Sequence, residues 1–362
     1  MDYKGRQQRL RKRLDELKLD ALFITHLPNI RYLCGFTGSS GVLVFAGSKI
    51  AFFTDGRYTE QARQEVFGAR IVVGKRLAFT EAVDWLLASK VKTVAIEAEH
   101  LTVAAHRNLQ KAVRRVQRTR VHLRPTSLLV ERLRMEKEES ELEQIRAAVL
   151  LASSVFPDIV KRIRAGIPER TIAAEIEYCC RRAGADGMSF DTLVSSGRRS
   201  ALPHGVASLE SIASDGFVIL DYGVILGGYC SDMTRTVYVG RIDDRSRSIY
   251  DAVVESQQAA VAAVKEGVTV DEVDAAARKV LLRSKLAKYF THSTGHGLGL
   301  EIHELPRVAK GQAERLKTGM VITIEPGVYV PGFGGVRIED TVAVTAAGCE
   351  VLTPTSKELI TI

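Results

Sequence analysis

The chain has 362 residues, of which 46% are hydrophobic and 26% are charged, and its formal net charge is +8. These values exclude an intrinsically disordered chain and a single small module, because the apolar residues suffice for the cores of two or three domains. No run approaches the roughly 18 consecutive apolar residues of a transmembrane helix, and the N-terminal residues do not resemble a signal peptide. With five cysteines and no C-x-x-C pair, we predict a cytoplasmic protein that does not bind membranes.

The first 130 residues alternate between helical and strand patterns. An apolar stripe of Leu10, Leu14 and Leu17 predicts an initial helix, and short apolar runs further along predict strands separated by helices. The predicted strands are Ala21–Ile24, Gly41–Phe45, Ile50–Thr54, Ile71–Val73 and Val94–Ile96, and the predicted helices are Tyr58–Val66 and Thr80–Ala88. This alternation predicts an α/β domain over residues 1–130.

The chain changes character after Pro125, where a charge-dense run leads into an amphipathic helix with apolar residues at three- and four-residue steps. A later helix is opened by Thr269, with Glu272 three residues on to complete a capping box. The predicted strands of this part are Phe217–Gly223, Tyr229–Val239, Met320–Glu325, Gly335–Ile338 and Thr341–Val344. Helices combined with hairpins predict an α+β domain over residues 131–362.

The net positive charge of the chain comes entirely from the first domain. Residues 1–130 have a net charge of +12 and residues 131–362 a net charge of −4. A basic stretch without acidic residues contains Arg107, Lys111, Arg114, Arg115, Arg118, Arg120 and Arg124. A docking surface for a polyanion is one interpretation, but no aromatic or RNA-binding motif accompanies these residues, which favours an ordinary solvated face. We therefore expect no nucleic-acid partner, and the role of the stretch 107–124 stays open.

Two of the predicted hairpins bring acidic residues together. In the first, a turn centred on residues 226–227 places Asp221 opposite Asp232 in an antiparallel register. In the second, a turn centred on the glycine of a Pro-Gly-Phe sequence places Glu325 opposite Glu339. Because a β-bulge shifts a register by one residue, both pairings are geometric predictions that a structure tests.

Like charges that face each other within apolar strands destabilise a sheet unless something neutralises them. A shared proton between two carboxyl groups is one alternative, and exposure of the acids to solvent is another. Divalent cations neutralise four carboxylates more simply, and such a site can hold two ions about 3.5–4 Å apart that activate a water and hold a carbonyl oxygen. A donor set of oxygens with one or more imidazoles favours manganese, iron or cobalt, with zinc less distinctive.

Four of the eight histidines lie near these strands or in a glycine-rich run: His204, His292, His296 and His303. The glycines around the last three argue against a helix. In an extended segment His292 and His296 share one face, so that a ligand and a proton-transfer group point into one cleft. Three histidines within twelve positions favour a functional role over structural core histidines.

At these residues the chain resembles the prolidase and aminopeptidase P family of dinuclear metallopeptidases. The resemblance is carried by the local strings Asp-Tyr-Gly, Ser-Asp-Met-Thr-Arg-Thr, Gly-His-Gly-Leu-Gly, Ile-Glu-Pro-Gly and Val-Arg-Ile-Glu-Asp. The N-terminal strings Asn29–Gly41 and Thr54–Tyr58 resemble the creatinase-type first domain of the same family. The resemblance implies a pita-bread fold for the second domain and spans nearly the whole chain.

The resemblance also implies the ligand set of a dinuclear centre. Asp221 would hold one metal, His296 and Glu325 the other, and Asp232 and Glu339 would bridge the two. A hydroxide between the metals would attack the scissile carbonyl, with Glu325 as the assisting base. The resemblance favours two Mn²⁺ ions, with Co²⁺, Fe²⁺ and Zn²⁺ as the alternatives.

The remaining family positions imply how a peptide is bound. His204, His292 and His303 would bind the substrate and stabilise the oxygen charge that develops during attack. Arg337 would orient ligands or bind substrate. Arg307 occupies a place where short prolidases bind the terminal carboxylate of a dipeptide, although an ordinary surface arginine is an equal alternative.

These implications predict a metallopeptidase that cleaves the bond between an N-terminal residue and proline, as an Xaa-Pro dipeptidase or an Xaa-Pro aminopeptidase. Two alternatives are a methionine-aminopeptidase-like enzyme and a non-catalytic pita-bread binding protein, since the same fold hosts relatives without metal. The resemblance further implies a homodimer that acts on proline-containing peptides.

Overall fold

The computed structural model describes residues 1–115 and 121–362. These residues form two compact units, Met1–Arg134 and Met135–Ile362, whereas the sequence analysis places the division near residue 130. Arg118 and Arg120 of the basic stretch lie outside the described residues. None of the described helices combines the length and the apolar character that a membrane span requires.

The first unit is an α/β domain built on a six-stranded mixed sheet. Its helices are α1 (Tyr3–Glu16), α2 (Leu27–Cys34), α3 (Thr59–Glu65), α4 (Ala78–Ala88), α5 (Val103–Arg115) and α6 (Glu131–Arg134), with a 3₁₀ helix at Gly56–Tyr58. Its strands are β1 (Ala21–Ile24), β2 (Val42–Ala46), β3 (Lys49–Thr54), β4 (Arg70–Val73), β5 (Thr93–Glu97) and β6 (His122–Thr126). The strand order is β4-β3-β2-β1-β5-β6, with β1 antiparallel to β2 and parallel to β5.

The predicted strands of this unit are confirmed as β1 to β5, whereas the sequence analysis missed α2, α5 and β6. Helix α2 has Pro28 in its first turn, where the missing N–H costs nothing. Helix α5 is largely polar and buries only Leu109 and Val113. Strand β6 is mostly exposed and contains Pro125, as an edge strand tolerates. Helix α5 and strand β6 thus bury few apolar side chains, and helix α2 is only eight residues long.

The second unit is an α+β domain. Its helices are α7 (Glu139–Val160), α8 (Glu169–Arg182), α9 (Asp244–Ala263) and α10 (Val270–Arg283), with 3₁₀ helices at Gly197–Ala201 and Ala287–Tyr289. Its strands are β7 (Gly187–Met188), β8 (Leu193–Ser196), β9 (Gly216–Tyr222), β10 (Val224–Leu226), β11 (Tyr229–Cys230), β12 (Met233–Val239), β13 (Gly295–Gly297), β14 (Glu304–Val308), β15 (Val321–Ile324), β16 (Gly327–Val330), β17 (Gly334–Arg337), β18 (Asp340–Val344) and β19 (Cys349–Val351). They form sheets in the orders β11-β10-β7, β12-β9-β8, β14-β13-β15-β18-β19 and β16-β17.

Two pairs of helices cover the strands of this unit. Helices α7 and α8 share a buried core with β9 and β12 that includes Phe156, Ile176 and Val218. Helices α9 and α10 share a second core with the five-stranded sheet, which includes Val253 and Ile322. The predicted capping box at the start of α10 is present, because the side chains of Thr269 and Glu272 each bind the backbone of the other.

The turn of the first hairpin lies one residue later than predicted. Gly227 and Gly228 occupy it with φ of +56° and +80°, backbone conformations that only glycine adopts at little cost. Asp221 therefore pairs with Thr234, and the predicted pairing of Asp221 with Asp232 is wrong. Because the register is shifted by two residues, the alternation of faces is unchanged and Asp232 stays on the face of Asp221.

The register predicted for the second hairpin is confirmed. Strands β16 and β17 pair Val328 with Val336, and β15 and β18 continue in the same register with Ile324 opposite Asp340. The acidic residues at positions 325 and 339 lie between these two ladders, where the regular strand pairing is interrupted. The interruption frees both residues to turn toward a common site.

Candidate metal centre

Five side chains from separate strand ends meet inside the second unit. Single donor atoms of Asp232, His296 and Glu339 all lie within 4.8 Å of one another. His296 Nε2 is 3.6 Å from Asp232 Oδ2 and 3.6 Å from Glu325 Oε1. Asp221 lies close enough to raise the pKa of Asp232, Glu325 and Glu339 by its charge. The fold therefore brings together all five residues expected as ligands.

The strand breaks at these residues are held by specific backbone contacts. The N–H of Glu325 donates to the carbonyl of Thr294 at 2.7 Å, and the N–H of Glu339 donates to the carbonyl of Thr234 at 3.1 Å. Both glycines beside His296 are required by close packing. A Cβ on Gly295 would lie 1.8 Å from the carbonyl oxygen of Thr323, and a Cβ on Gly297 would lie 2.1 Å from the carbonyl oxygen of Leu305. The Gly-His-Gly sequence thus lets the backbones of Thr323 and Leu305 approach β13 on either side of His296.

Three carboxylate oxygens of this group are buried without a hydrogen-bond partner among the described residues: Asp221 Oδ1, Asp232 Oδ1 and Glu339 Oε1. An ionised carboxylate in that position is costly. Burial, followed by repulsion from the other acids, raises the pKa of Asp232 and of Glu339 well above the ordinary range. Burial also raises the pKa of Glu325 to about 8. Clustered carboxyl groups whose ionised forms are destabilised by burial fit a site for divalent cations, because a bound cation stabilises the ionised form.

The remaining atoms of the ligands are held in fixed orientations. Thr234 Oγ1 donates to Glu339 Oε2 at 2.6 Å, and Arg337 Nη2 donates to Asp221 Oδ2. His296 Nδ1 lies 2.9 Å from its acceptor, the carbonyl of Gly297. Because Nδ1 then carries the proton, Nε2 is the nitrogen with a free lone pair, and it faces the carboxylates. Burial lowers the pKa of His296 to about 4, which keeps the ring neutral as a ligand must be.

The three histidines outside the ligand set lie around this centre in different environments. His292 Nε2 is 2.9 Å from Tyr329 Oη, and its Nδ1 is 2.8 Å from the carbonyl of Ser293. The ring of His303 lies 4.5 Å from that of His296, measured between centroids. His204 is exposed, and its charge lowers the pKa of both His292 and His303. Burial is the larger cause of both shifts.

Tyr329 is a residue that sequence reasoning missed. Its hydroxyl accepts from Arg337 Nη1 at 2.6 Å and faces the ring of His292, so it joins two of the predicted residues. A second missed group is the pair Asp274 and Arg278 on α10. Asp274 Oδ1 accepts from Thr294 Oγ1, and Arg278 donates to the carbonyl of His292. Neither group has a local sequence signal, because each acts on residues distant in the chain.

Arg307 lies opposite His296 in the β13–β14 pair. Directly opposed residues of an antiparallel pair point to the same face. The arginine is exposed and makes no hydrogen bond or ion pair within the part of the chain that the structure describes. The side chain of Arg307 therefore lies on the same face of this strand pair as His296.

Two family models match the chain. A model described as metallopeptidase family M24 matches residues 143–346, and a model described as the creatinase/prolidase N-terminal domain matches residues 6–136. Among curated relatives, the Xaa-Pro dipeptidase of Pyrococcus furiosus is 37% identical over 99% of this chain and 100% of its own length.

Several solved structures are similar to this chain over nearly its whole length. The structure titled Xaa-Pro dipeptidase from Bacillus anthracis has a TM-score of 0.96 and 40% sequence identity, with 99% of this chain and 100% of that chain covered. The prolidase from Pyrococcus horikoshii has a TM-score of 0.92 and 34% identity, with 98% and 100% covered. The X-Pro aminopeptidase from Thermotoga maritima has a TM-score of 0.87 and 34% identity, with 97% and 100% covered.

Proposed function

The chain belongs to the metallopeptidase family M24, and from this membership we propose that it hydrolyses the bond between an N-terminal residue and proline. The resemblance to the prolidase and aminopeptidase P family is confirmed, as are the pita-bread fold and the creatinase-type first domain. Named relatives include Xaa-Pro dipeptidases, prolidases and an X-Pro aminopeptidase. The comparisons do not favour a methionine-aminopeptidase-like enzyme or a non-catalytic binding protein.

The observation that carries this proposal is the cluster of buried carboxylate oxygens without partners beside a neutral imidazole. Asp221, Asp232, His296, Glu325 and Glu339 would hold two divalent cations. We propose Mn²⁺ as the native metal, because the donor set is rich in carboxylate oxygen and contains one imidazole. When bound, the cations supply a water of lowered pKa and polarise the scissile carbonyl.

The protein's own groups then move protons and fix the peptide. We assign to Glu325, whose Oε1 is 3.6 Å from His296 Nε2, the role of accepting the proton of the attacking water. We assign to His204 and His303 the role of donating to the carbonyl oxygen as negative charge develops there. His292 has both nitrogens engaged with Ser293 and Tyr329.

In our proposal His292 therefore contributes by orienting Tyr329 and, through it, Arg337. Arg337 is 3% exposed and donates to Tyr329, to Asp221 and to the carbonyl of Pro203. Its guanidinium thus joins one expected ligand to the segment that carries His204. The imide nitrogen of an Xaa-Pro bond has no hydrogen to donate, so recognition rests on groups that contact the carbonyl and the chain ends.

We further propose that dipeptides are preferred over longer peptides. In a dipeptide the terminal carboxylate lies one residue beyond the scissile carbonyl, and successive Cα atoms are about 3.8 Å apart. Arg307 faces the same side of its sheet as His296 and carries free donors. A guanidinium binds a carboxylate with two parallel hydrogen bonds. A longer peptide would place a neutral amide at this position.

The cellular setting and the assembly are also proposals. None of the five cysteines is in a disulfide in the described chain, which supports a reducing compartment such as the cytoplasm. We propose a homodimer on the resemblance to the prolidase family, and sedimentation velocity of the purified protein measures it directly.

The deciding experiment compares Xaa-Pro and Xaa-Pro-Yaa peptides with the Mn²⁺-loaded protein, and the metal content is measured on the same sample. We expect two metal ions per chain and hydrolysis of the dipeptide with little hydrolysis of the tripeptide. Equal hydrolysis of both would exclude the dipeptidase proposal, and cleavage of a methionyl peptide alone would exclude the preference for proline.

A further inference from the structure

One buried arginine outside the ligand set joins the metal centre to the C-terminal end of the chain. Arg235 lies on β12, three residues after Asp232, and is 1% exposed. We propose that Arg235 is a positioning residue, which sets the metal affinity of the centre by holding the backbone of Glu339. This inference rests on the proposed function, because it takes Glu339 as a metal ligand.

The guanidinium of Arg235 uses all five of its N–H donors. Nε donates to the carbonyl of Ser356 at 2.9 Å, Nη1 to the carbonyls of Thr234 and Glu339 at 2.9 and 2.5 Å, and Nη2 to Asp340 Oδ1 and the carbonyl of Thr355 at 2.8 and 2.5 Å. A planar guanidinium has five donors in a fixed geometry. No donor remains for another partner, so the orientation of the group is determined.

These contacts fix the peptide groups on both sides of Glu339. Its carbonyl accepts directly from Arg235, and its N–H donates to the carbonyl of Thr234, which Arg235 also holds. The Thr234 hydroxyl in turn donates to the carboxylate of Glu339 at 2.6 Å. A displacement of Arg235 would therefore move the backbone of Glu339 and the donor to its side chain together.

The C-terminal residues supply the other half of this arrangement. The Nζ of Lys357 is 2.5 Å from Asp340 Oδ2, and Asp340 is the charged partner of Arg235. Thr353 Oγ1 accepts from the N–H of Thr341, whose hydroxyl donates to the carbonyl of Asp232 at 2.9 Å. Residues 353–357 thus contact the supports of two expected ligands.

The test measures Mn²⁺ affinity of the metal-free full-length protein by calorimetry. Arg235→Lys keeps the charge beside Asp340, but its single ammonium has three donors and cannot reach carbonyls on several segments. We expect Mn²⁺ to bind the variant about 10- to 100-fold more weakly, the range found when groups that orient metal ligands are changed. At saturating Mn²⁺ we expect a lower kcat with a KM for the dipeptide close to that of the wild type.

Arg283→Lys is the matched control, because Arg283 is exposed and pairs only with Glu255. A role in stability alone would lower the unfolding midpoint of metal-free Arg235→Lys without changing its Mn²⁺ affinity. A folded Arg235→Lys variant with an affinity within twofold of the wild type would overturn the proposal.

A second variant keeps the test decisive if Arg235→Lys does not fold. Lys357→Met removes the ammonium that pairs with Asp340, the charged partner of Arg235, and the lysine side chain is 25% exposed, so folding should be retained. We expect several-fold weaker Mn²⁺ binding, and an unchanged affinity would overturn the proposal. A wild type that binds Mn²⁺ but leaves Xaa-Pro peptides intact would refute the proposed function and leave this comparison valid. A wild type that binds no Mn²⁺ would refute both.

Discussion

His296 and Arg307 lie directly opposite each other across the antiparallel pair of β13 and β14. Side chains in such a pair share a face, with Cβ atoms about 5 Å apart. The ring of His296 is directed at Asp232 and Glu325, each 3.6 Å from its Nε2. The exposed side chain of Arg307 therefore shares a face of this strand pair with the imidazole that faces the carboxylates.

Replacing Arg307 by methionine should weaken dipeptide binding. A hydrogen bond to a charged group contributes about 1.5–3 kcal/mol, so we expect the KM for an Xaa-Pro dipeptide to rise about 10-fold or more with kcat little changed. Arg307→Lys should restore part of the loss. Steady-state kinetics measures both, and Lys310→Met, at an exposed position on the same segment, is the control. An unchanged KM would assign Arg307 to the ordinary surface.

Replacing Glu339 by glutamine should stabilise the metal-free protein and abolish its response to metal. Glu339 is 1% exposed and is repelled by neighbouring acids, so removing its charge relieves that repulsion. We expect a higher metal-free Tm and the loss of the Mn²⁺-induced rise in Tm, both measured by calorimetric scans. Glu358→Gln, at an exposed site, should change neither. A lower metal-free Tm would contradict the interpretation that Glu339 and its neighbouring acids repel one another.

His292 should make the protein less stable in acid. Burial lowers its pKa from 6.5 to about 4, so the unfolded chain binds a proton more readily than the folded one. The contribution of this group to stability is full above pH 6.5 and is lost as the pH falls toward 4. Between pH 8 and pH 5 this amounts to roughly 2 kcal/mol.

The variant His292→Gln should accordingly show a shallower loss of stability over this pH range. Urea unfolding at pH 8 and pH 5 measures the free energy of unfolding of both proteins. Parallel pH dependences would show that His292 is not the group responsible.

Replacing Gly295 by alanine should disrupt the metal centre by sterics alone. The added Cβ would lie 1.8 Å from the carbonyl oxygen of Thr323, a backbone atom that cannot move independently. We expect a destabilisation of about 3 kcal/mol or more together with weaker Mn²⁺ binding, because Gly295 directly precedes His296. Gly348→Ala, where no atom lies within 4 Å of the added Cβ, is the matched control. Equal unfolding free energies for the two variants would contradict this packing.

The two hairpins show where sequence reasoning succeeds and where it fails. The second register follows from a turn with one central glycine and is correct. The register predicted for the first hairpin is wrong because the sequence permits a turn at either Leu226-Gly227 or Gly227-Gly228. The structure uses Gly227 and Gly228, both with positive φ, and the sequence pattern alone does not distinguish this turn from the other. Because the register is shifted by two residues, Asp221 and Asp232 still lie on one face, and the prediction that they share a site is unaffected.

The sequence by itself determined which residues we propose for the chemistry, because the carboxylates and histidines stand in short local patterns whose spacing and residue type are fixed by the covalent chain. Only the tertiary structure decided which side chains position these carboxylates and histidines. Tyr329, Asp274 and Arg235 act on residues far away along the chain, through hydrogen bonds that exist only when separate strands and helices pack together. Such contacts leave no periodicity or motif, since each partner is an ordinary polar residue until folding buries it.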